Sequence, residues 1–386
     1  MTITSSFPER QLGAHRGRWL ATVDSAYAQM QRCIDSATTS IRLETYLLRE
    51  QGPAGPLRAA LLQARTRGVQ VRMLIDAFGS EDLPDDFLAP LRDAGVEVAV
   101  FNPKRLLRLS FRNHRKLLVC DGQQAIVGGF NIGPEYAGDG VQKGWCDTGV
   151  YIQGPVAIEL ERSFDAMFDL APFTARAIHR FRHRMHRAPP PADGAVALLT
   201  SGPALPRSRL RRTLRHDLGA ASKVAIASAY FLPSLRLRRL LYRIARRGGR
   251  VRILLAGRSD VPVAKLAGER LYQRLLRRHI HIHEYQPQVL HAKLVVMDDL
   301  VYVGSCNLDR RSLHINHELL LRLHWPELAA DARRWFEQAL EHAPAVEARS
   351  WAQGRSLWRR LLVRLAYLLL ARVDPLVARR GFRSIS

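Results

Sequence analysis

One short stretch occurs twice in this chain, and the repetition limits what the chain can fold into. Residues 114–131 read HRKLLVCDGQQAIVGGFN, and residues 291–307 read HAKLVVMDDLVYVGSCN. Each copy contains His-x-Lys-x4-Asp followed by small residues and an Asn. The spacing between the copies is domain-sized and far too long for a solenoid. We therefore predict two similar halves whose motifs frame one catalytic site.

The spacing of His and Lys in each copy suits an extended strand. Side chains alternate between the two faces of a strand, so His114 and Lys116 are predicted to point the same way, and so are His291 and Lys293. The apolar residues after each Lys predict a buried strand, and the Asp of each copy predicts a turn into a second strand. Small residues at the end of that strand would let the backbone approach a ligand closely.

Two imidazoles and two ammonium groups are sufficient for phosphodiester chemistry. A phosphodiester resists attack because its anionic oxygens repel nucleophiles and its alkoxide leaving group is poor. A neutral imidazole can attack the phosphorus while a protonated one donates to the leaving oxygen and later deprotonates the incoming hydroxyl. Lysine and asparagine side chains would stabilise the non-bridging oxygens. The predicted chemistry therefore uses no metal and no cofactor.

The paired motifs resemble the signature of the phospholipase D superfamily. The resemblance implies an α/β fold of two similar α/β/α sandwich units related by a pseudo-twofold axis, with the active site at their interface. It also implies that His114 is the nucleophile and His291 the acid and base, although the symmetry of the sequence itself does not separate these roles. The predicted catalytic residues are His114, Lys116, Asp121, His291, Lys293 and Asp298, and the predicted phosphate ligands are Asn131, Asn307 and Ser305.

Other acidic and small residues near the motifs leave alternatives open. The Asp of each motif either forms its turn or orients a histidine, which would then belong to the opposite half. Glu135 and Glu318 are predicted to lie near the site, whereas Glu44 is predicted to be a salt-bridged support, because a buried Glu must be paired. Gly129 replaces a Ser that many relatives have, and the second hairpin is one residue shorter than the first. Either departure could move a phosphate ligand.

The order of predicted elements indicates a partly parallel sheet covered by helices in each half. In the first half, helices are predicted over 22–35, 56–67 and 85–93, and strands over 39–48, 69–76 and 96–101. In the second half, helices are predicted over 208–220, 235–247 and 264–278, and strands over 224–231, 250–256 and 280–285. The predicted domains are 1–182 and 195–345, with a Pro-rich linker over 183–194 and a basic amphipathic tail over 346–386.

Histidines and cysteines outside the motifs do not predict a metal site or disulfides. His179, His183 and His186 cluster at the boundary between the predicted domains, with His216 further off, but the arginines between them would repel a cation. The four cysteines have no metal-ligand spacing and are too few to staple a chain of 386 residues, so we predict reduced thiols.

The chain carries a large excess of positive charge. Its 59 Lys and Arg residues against 35 Asp and Glu residues give a net charge of +24. Polyanions or an anionic membrane surface are natural partners, although part of the arginine excess can follow from genomic base composition. Charge alone does not choose between DNA and lipid. The first residues lack the apolar core of a signal peptide and no run of eighteen apolar residues occurs, so we expect a chain that faces the cytosol.

Further stretches resemble the bacterial cardiolipin synthases, in particular the B type. They are LETYLL at 43–48, GGFNIGPEY at 128–136, SAYFLP at 228–233 and VGSCNLDRRSLHINHE at 303–318. The resemblance implies transfer of a phosphatidyl group to phosphatidylglycerol through a phosphohistidine, with phosphatidylglycerol or phosphatidylethanolamine as donor. A phospholipase D-type hydrolase of phospholipid or nucleic acid would use the same residues. A non-catalytic binding protein would explain the charge but not the motifs.

The end of the chain indicates contact with lipid. Residues 356–373, SLWRRLLVRLAYLLLARV, place leucines at helical spacing with arginines largely on the other side. This pattern predicts either a helix in the headgroup region of an anionic leaflet or one docked on the protein's own core. The basic run over 104–115 could gate the site against lipid. Together these features predict a peripheral protein on the cytoplasmic face of the bacterial inner membrane, with no nucleic-acid partner.

Overall fold

A computed structural model of the chain describes residues 3–4, 6–102, 111–187, 194–203, 205, 208–353 and 356–374. Within these residues the strands form two sheets. The first sheet contains β1 (Arg10–Leu12), β2 (His15–Leu20), β3 (Ser40–Thr45), β4 (Gln70–Asp76), β5 (Glu97–Phe101), β6 (Leu117–Cys120), β7 (Gln124–Gly128) and β8 (Gly149–Gln153). The second contains β9 (Val196–Ser201), β10 (Lys223–Ser228), β11 (Arg250–Ala256), β12 (His281–Tyr285), β13 (Lys293–Met297), β14 (Leu300–Gly304) and β15 (Glu318–His324).

Helices connect and cover these strands. The first half contains α1 (Val23–Ser36), α2 (Ala54–Thr66), α3 (Asp85–Asp93), α4 (Pro155–Leu170) and α5 (Ala175–Arg187). The second half contains α6 (Arg209–Ala220), α7 (Leu235–Arg246), α8 (Pro262–Leu276), α9 (Arg310–His314), α10 (Pro326–Glu341), α11 (Ala348–Gln353) and α12 (Leu357–Leu368), which continues as a π-helix over Leu369–Val373.

The two sheets share one strand order. The first runs β5-β4-β3-β6-β7-β8-β2-β1 and the second runs β12-β11-β10-β13-β14-β15-β9. In each sheet the three strands at one edge are parallel, and the strand of the His-Lys motif pairs antiparallel with the third of them. The predicted α/β fold with two similar halves is therefore confirmed.

Helices cover both faces of each sheet. One face of the first sheet packs on α1, α2 and α3, and the corresponding face of the second packs on α6, α7 and α8. The opposite faces of both sheets form one continuous apolar core with α4 and α10. Trp335 on α10 donates its indole N–H to the Ala21 carbonyl of the first half at 2.8 Å. The halves are therefore joined by a shared core as well as by the chain between them.

The predicted helices agree with the observed ones, whereas the last elements of each half were not predicted. The predicted helices begin and end within two residues of the observed ones. No strand or helix was predicted between each hairpin and the end of its domain, whereas the structure has a third antiparallel strand there, β8 or β15, and a long helix, α4 or α10. Helix α5 extends to Arg187, so the first residues of the predicted linker are helical. Residues 188–193 of that linker and 104–110 of the predicted gate lie outside the described residues.

The Asp of each motif lies at a hairpin turn and binds the start of a neighbouring strand. The Asp121 carboxylate accepts the N–H groups of residues 38–40, and Asp298 accepts those of 222 and 223. A strand of four or five residues, at least about 13 Å long, lies between each Asp and its motif histidine. The structure does not bring Asp121 or Asp298 to a histidine, and their contacts support the turn-forming alternative. The one-residue difference between the hairpins lies in these turns, far from the predicted phosphate ligands.

Replacing Asp121 by Ala should therefore lower stability without lowering the activity of the folded protein. Loss of the acceptor for three backbone N–H groups should reduce the free energy of unfolding by about 1–2 kcal/mol. Partial burial raises the pKa of Asp121, but the backbone hydrogen bonds outweigh burial and lower it to about 2. Because the unfolded pKa is about 3.9, this stability is present above about pH 4 and is lost as the pH falls towards 2.

Urea unfolding at pH 7 and at pH 3 measures both effects. Asp35→Ala, which removes an exposed carboxylate from α1, is the control and should change the free energy of unfolding by less than about 0.5 kcal/mol. An Asp121→Ala protein that is fully folded but inactive would restore the catalytic role for this Asp.

Candidate active site

Each motif histidine is held by a backbone contact with the other half of the chain. The His114 N–H donates to the His317 carbonyl at 2.9 Å, and the His291 N–H donates to the Cys146 carbonyl at 2.8 Å. An isolated parallel β-bridge forms at both places. Because the two contacts correspond, the two motifs meet where the halves touch.

A buried carboxylate from the opposite half binds each histidine ring. Glu318 Oε2 lies 3.1 Å from Nδ1 of His114, and Asp147 Oδ2 lies 2.7 Å from Nδ1 of His291. Both carboxylates are inaccessible to solvent, and both histidine side chains are nearly so. One alternative that the sequence left open was that the Asp of each motif orients a histidine of the opposite half. The structure gives this position to Glu318 and Asp147, and not to the motif Asp residues.

Ser305 fixes the direction of the hydrogen bonds around Glu318. The Leu319 N–H donates to Ser305 Oγ at 3.0 Å, and this hydroxyl donates to Glu318 Oε2 at 2.5 Å. The same Oε2 therefore acts as an acceptor, and the Nδ1–H of His114 donates to it. Burial raises the pKa of Glu318 to about 8, and Lys116 opposes this shift. Nε2 of His114 keeps its lone pair for a substrate.

Gly129 occupies in the first half the position that Ser305 has in the second. A Cβ atom on Gly129 would lie 2.4 Å from Oδ1 of Asp147. The Asp147 carboxylate therefore fills the space of a serine side chain, and it accepts the Thr148 N–H at 2.8 Å. The glycine at this position is explained by contact with the carboxylate that orients His291.

The two lysines lie beside the histidines of their own motifs. Lys116 Nζ donates to the His114 carbonyl at 2.6 Å. Lys293 Nζ contacts the His291 carbonyl and lies 2.7 Å from its Nδ1. Both lysines are almost fully buried. Two buried lysine amino groups therefore accompany the two imidazoles, where they can bind the oxygens of an anionic phosphodiester.

Burial and the neighbouring charges set the protonation of the histidines. Burial lowers the pKa of His114 well below its usual value, and the motif lysines and His291 lower it further. Burial and Lys293 also lower the pKa of His291, but Asp147 raises it. Burial lowers the pKa of Lys293 to about 8. The basic groups of both motifs thus act on one another, with His114 neutral and His291 the better proton carrier.

The two predicted asparagine ligands hold backbone beside the site. The Leu47 N–H donates to Asn131 Oδ1 at 3.2 Å, and the Tyr230 N–H donates to Asn307 Oδ1 at 3.3 Å. Nδ2 of Asn131 donates to the Tyr136 hydroxyl at 2.6 Å. Because these contacts use the amide oxygens, only the amino groups remain to bind a phosphate. A phosphate-binding role for either asparagine stays a prediction.

Aromatic side chains flank both histidines. The Tyr46 ring lies 5.0 Å from the His114 ring between centroids. Tyr136 and Trp145 lie 5.2 Å and 5.3 Å from the His291 ring. These rings limit the access of water to the imidazoles, which strengthens the electrostatic interactions between them.

The remaining acidic residues near the site act through other groups. Asn113 Nδ2 donates to Glu44 at 2.8 Å, and the Arg115 guanidinium lies 3.1 Å from the same carboxylate. Glu44 is therefore the salt-bridged support that the sequence predicted. Glu135 is half-buried, and its carbonyl accepts the Trp145 N–H at 2.9 Å. Glu135 thus contacts the site only indirectly, through the backbone N–H of Trp145, whose ring lies beside His291.

Asp147 was not predicted from the sequence to be part of the site. Asp147 lies two residues before β8, and Glu318 is the first residue of β15, the corresponding strand of the second half. The connection from Asn131 to Asp147 is longer than that from Asn307 to Glu318, so the repeat breaks off after the asparagines. An acidic residue at or just before an apolar strand in both halves was the signal that could have identified Asp147 from the sequence.

Comparison with known proteins identifies the family. A family profile described as "Cardiolipin synthase, PLD-like domain" matches residues 30–168 and 214–340. The chain belongs to this family. It is 31% identical to cardiolipin synthase 1 of Bacillus cereus over 355 residues, which cover 89% of the chain and 70% of the relative. It is 34% identical to cardiolipin synthase B of Salmonella typhi over 309 residues, which cover 78% of the chain and 74% of the relative.

A solved structure shares the fold of the family member described here. The crystal structure of phosphatidylserine synthase from Haemophilus influenzae matches with a TM-score of 0.73 at 15% identity, over 98% of both chains. The resemblance to the phospholipase D superfamily and to its cardiolipin synthases, which the motifs predicted, is confirmed.

Replacing Asp147 by Asn should slow phosphodiester turnover and change its pH dependence. We expect kcat to fall about 10²–10⁴-fold, the range for loss of acid–base function, since the His291 ring loses its charged partner. The charge of Asp147 raises the pKa of His291, so its removal should move the alkaline limb of the pH–rate profile to lower pH. Asp82→Asn, at an exposed carboxylate, is the control. An unchanged profile in Asp147→Asn would contradict this assignment.

Proposed function

We propose that the protein is a phosphatidyltransferase that forms cardiolipin from phosphatidylglycerol and a second phospholipid through a phosphohistidine. The observation that carries the proposal is the pair of buried histidines, each bound at Nδ1 by a carboxylate of the opposite half. Relatives named cardiolipin synthase support the choice of lipid. The corresponding contacts of the two motifs support a pseudo-twofold relation between domains 1–182 and 195–345.

In the first step, Nε2 of His114 attacks the phosphorus of the donor lipid. The bond from phosphorus to the headgroup oxygen breaks, and His291 donates its proton to that oxygen, so the headgroup alcohol leaves. The phosphatidyl group is then bonded to His114, whose developing positive charge is stabilised by Glu318 through Nδ1–H. Lys116 and Lys293 stabilise the negative charge on the non-bridging oxygens.

In the second step, His291 acts as the base. It takes the proton from the primary hydroxyl of phosphatidylglycerol, and the hydroxyl oxygen attacks the phosphorus. The bond between phosphorus and His114 breaks, which restores the neutral imidazole. The low pKa of His114 supports its role as nucleophile, and the contact with Asp147 supports proton transfer by His291. Water in place of the lipid hydroxyl would give phosphatidic acid by the same steps.

The test is to identify the lipids formed from phosphatidylglycerol vesicles, with and without phosphatidylethanolamine, by mass spectrometry. Wild-type protein should form cardiolipin, and His114→Ala and His291→Ala should abolish its formation because each removes an obligatory group. His216→Ala is the matched control, since His216 contacts the Asp217 carboxylate at 3.1 Å but lies on the surface.

Each outcome of this assay has a defined meaning. Dependence of the rate on phosphatidylethanolamine would identify it as the donor. Phosphatidic acid as the sole product would make the protein a hydrolase and would overturn the transferase proposal.

We further propose that the protein attaches peripherally to an anionic membrane, at the cytoplasmic face in the cell, through α12. This helix packs on α8 through a narrow face that includes Val363 and Ala366. Its wide apolar face remains exposed, with Leu357 at 82% and Trp358 at 66% of full accessibility. Among the described helices, none has the length and apolar character needed to cross a bilayer. One face of the helix thus agrees with the docked alternative for the tail, and we assign the membrane contact to the other face.

A single substitution on the exposed face tests this attachment. Leu365→Ser should weaken binding to vesicles that contain phosphatidylglycerol by about 10- to 100-fold, since burial of one Leu side chain contributes about 1.5–3 kcal/mol. Leu365 is 53% exposed, so the protein should keep its stability. Ile158→Ser on α4 removes an aliphatic side chain of similar exposure and is the control. Equal binding of Leu365→Ser and wild type in co-sedimentation would exclude α12 as the attachment site.

A further inference from the structure

A basic cleft, here called the arginine cleft, lies between α8 and α12. It encloses about 410 Å³, and none of the catalytic residues lines it. Trp351, which stacks on Tyr272 with a centroid distance of 4.7 Å, closes one side. The arginines that line the cleft are Arg270, Arg274 and Arg277 on α8 and Arg360 and Arg364 on α12.

The spacing of these arginines places them in two facing rows. Residues 270, 274 and 277 are separated by four and three positions, and residues 360 and 364 by four, so each set lies along one side of its helix. Arg274, Arg277, Arg360 and Arg364 are exposed. A guanidinium presents N–H donors in a planar fork that fits two phosphate oxygens at once. The two rows can therefore approach one phosphate from opposite sides.

An acidic residue, Glu269, also lines the cleft, but its carboxylate already pairs with an arginine outside the lining. Glu269 is 1% exposed, and Arg359 lies 3.1 Å from its carboxylate, which attaches α12 to α8. Within the described parts of the chain, no carboxylate forms an ion pair with Arg274, Arg277 or Arg364. Docking α12 on α8 thus places like charges opposite one another, and their repulsion favours the binding of an anion.

The exposed leucines of α12 decide which anion fits. The arginine cleft and the apolar face belong to the same helix, so the ligand must present negative charge beside hydrocarbon. A free phosphate or a nucleic acid would leave the leucines in water. A second copy of the chain would bring the arginines of both copies together. An anionic bilayer supplies both the phosphates and the acyl chains.

We propose that the arginine cleft binds headgroup phosphates of anionic phospholipids in the bilayer on which α12 lies. The site is separate from the catalytic histidines and binds lipid without converting it. The proposal rests on the membrane attachment under the proposed function and adds the binding site. The far end of the helix is fixed next to the second motif, because Arg311 on α9 lies 3.2 Å from the Asp374 carboxylate. Lipid bound in the cleft therefore orients the chain on the membrane.

Charge removal within the cleft tests the proposal against charge removal elsewhere. The cleft variant is Arg274→Gln, Arg277→Gln and Arg364→Gln, and the control variant is Arg162→Gln, Arg176→Gln and Arg180→Gln, three exposed arginines of α4 and α5. Both variants also carry His114→Ala, so that the lipids stay unchanged during the measurement. Co-sedimentation with phosphatidylcholine vesicles, with and without phosphatidylglycerol, is measured at physiological ionic strength, where charges act over about 8 Å.

We expect the cleft variant to bind phosphatidylglycerol-containing vesicles about 100-fold more weakly than the protein with His114→Ala alone. The loss of three cations at an anionic surface predicts a change of this size. The control variant should lose less than about threefold, and binding to pure phosphatidylcholine should be alike in all proteins. Restoring charge with lysines at the three cleft positions should recover most of the binding, which separates charge from folding. Light scattering should give the same molar mass for all proteins.

Three results would overturn the proposal. They are unchanged binding of the cleft variant, an equal loss in the control variant, and a mass change that makes the cleft a contact between copies. The co-sedimentation assay measures binding and involves no turnover. If the wild-type protein formed no cardiolipin, the proposed reaction would be refuted, but the binding results would still test the arginine cleft.

Discussion

The active site depends on two carboxylates that are buried where the halves of the chain meet. A carboxylate removed from water is costly unless an opposite charge or a hydrogen-bond donor compensates it. Asp147 and Glu318 each find the histidine partner in the other half. Neither half could therefore bury its own carboxylate favourably if it folded alone. The shared core and the catalytic pairs thus stabilise one arrangement, and the histidine positions follow from the packing of the two halves.

The repeat is not exact, and the difference between the halves bears on the proposed division of roles between His114 and His291. Glu318 is one methylene longer than Asp147 and shares its oxygen with the Ser305 hydroxyl. In the first half, Gly129 leaves room for the shorter Asp147, which lies closer to its histidine. His291 consequently has the carboxylate that favours its protonated form, while His114 is neutral beside two lysines. Two side-chain differences in a duplicated site thus favour the proposed division into nucleophile and acid.

The sequence predicted local features well and the long-range contacts of the site less well. Helix and strand positions follow from periodicity within each segment, and the duplicated motif identified the family. Asp147 was missed because a longer connection separates it from Asn131, so the internal repeat ends before it. The role of Asp121 was left open because its position depends on the hairpin, whose strand Leu117–Cys120, about 13 Å long, lies between Asp121 and His114. The pairing of each carboxylate with the opposite half depends on how two sheets pack, and no segment encodes that by itself.

The docking of α12 also bears on the energetics of the proposed membrane binding. An amphipathic segment that is unfolded in water must be ordered when it binds, and this ordering reduces its affinity. Here the buried Glu269 requires Arg359 as its partner, and Val363 and Ala366 pack against the protein. The helix is therefore formed before it meets a bilayer, and its leucines are already presented on one side. Because the ordering cost is met by contacts with α8, the apolar burial and the phosphate contacts can contribute more fully to binding.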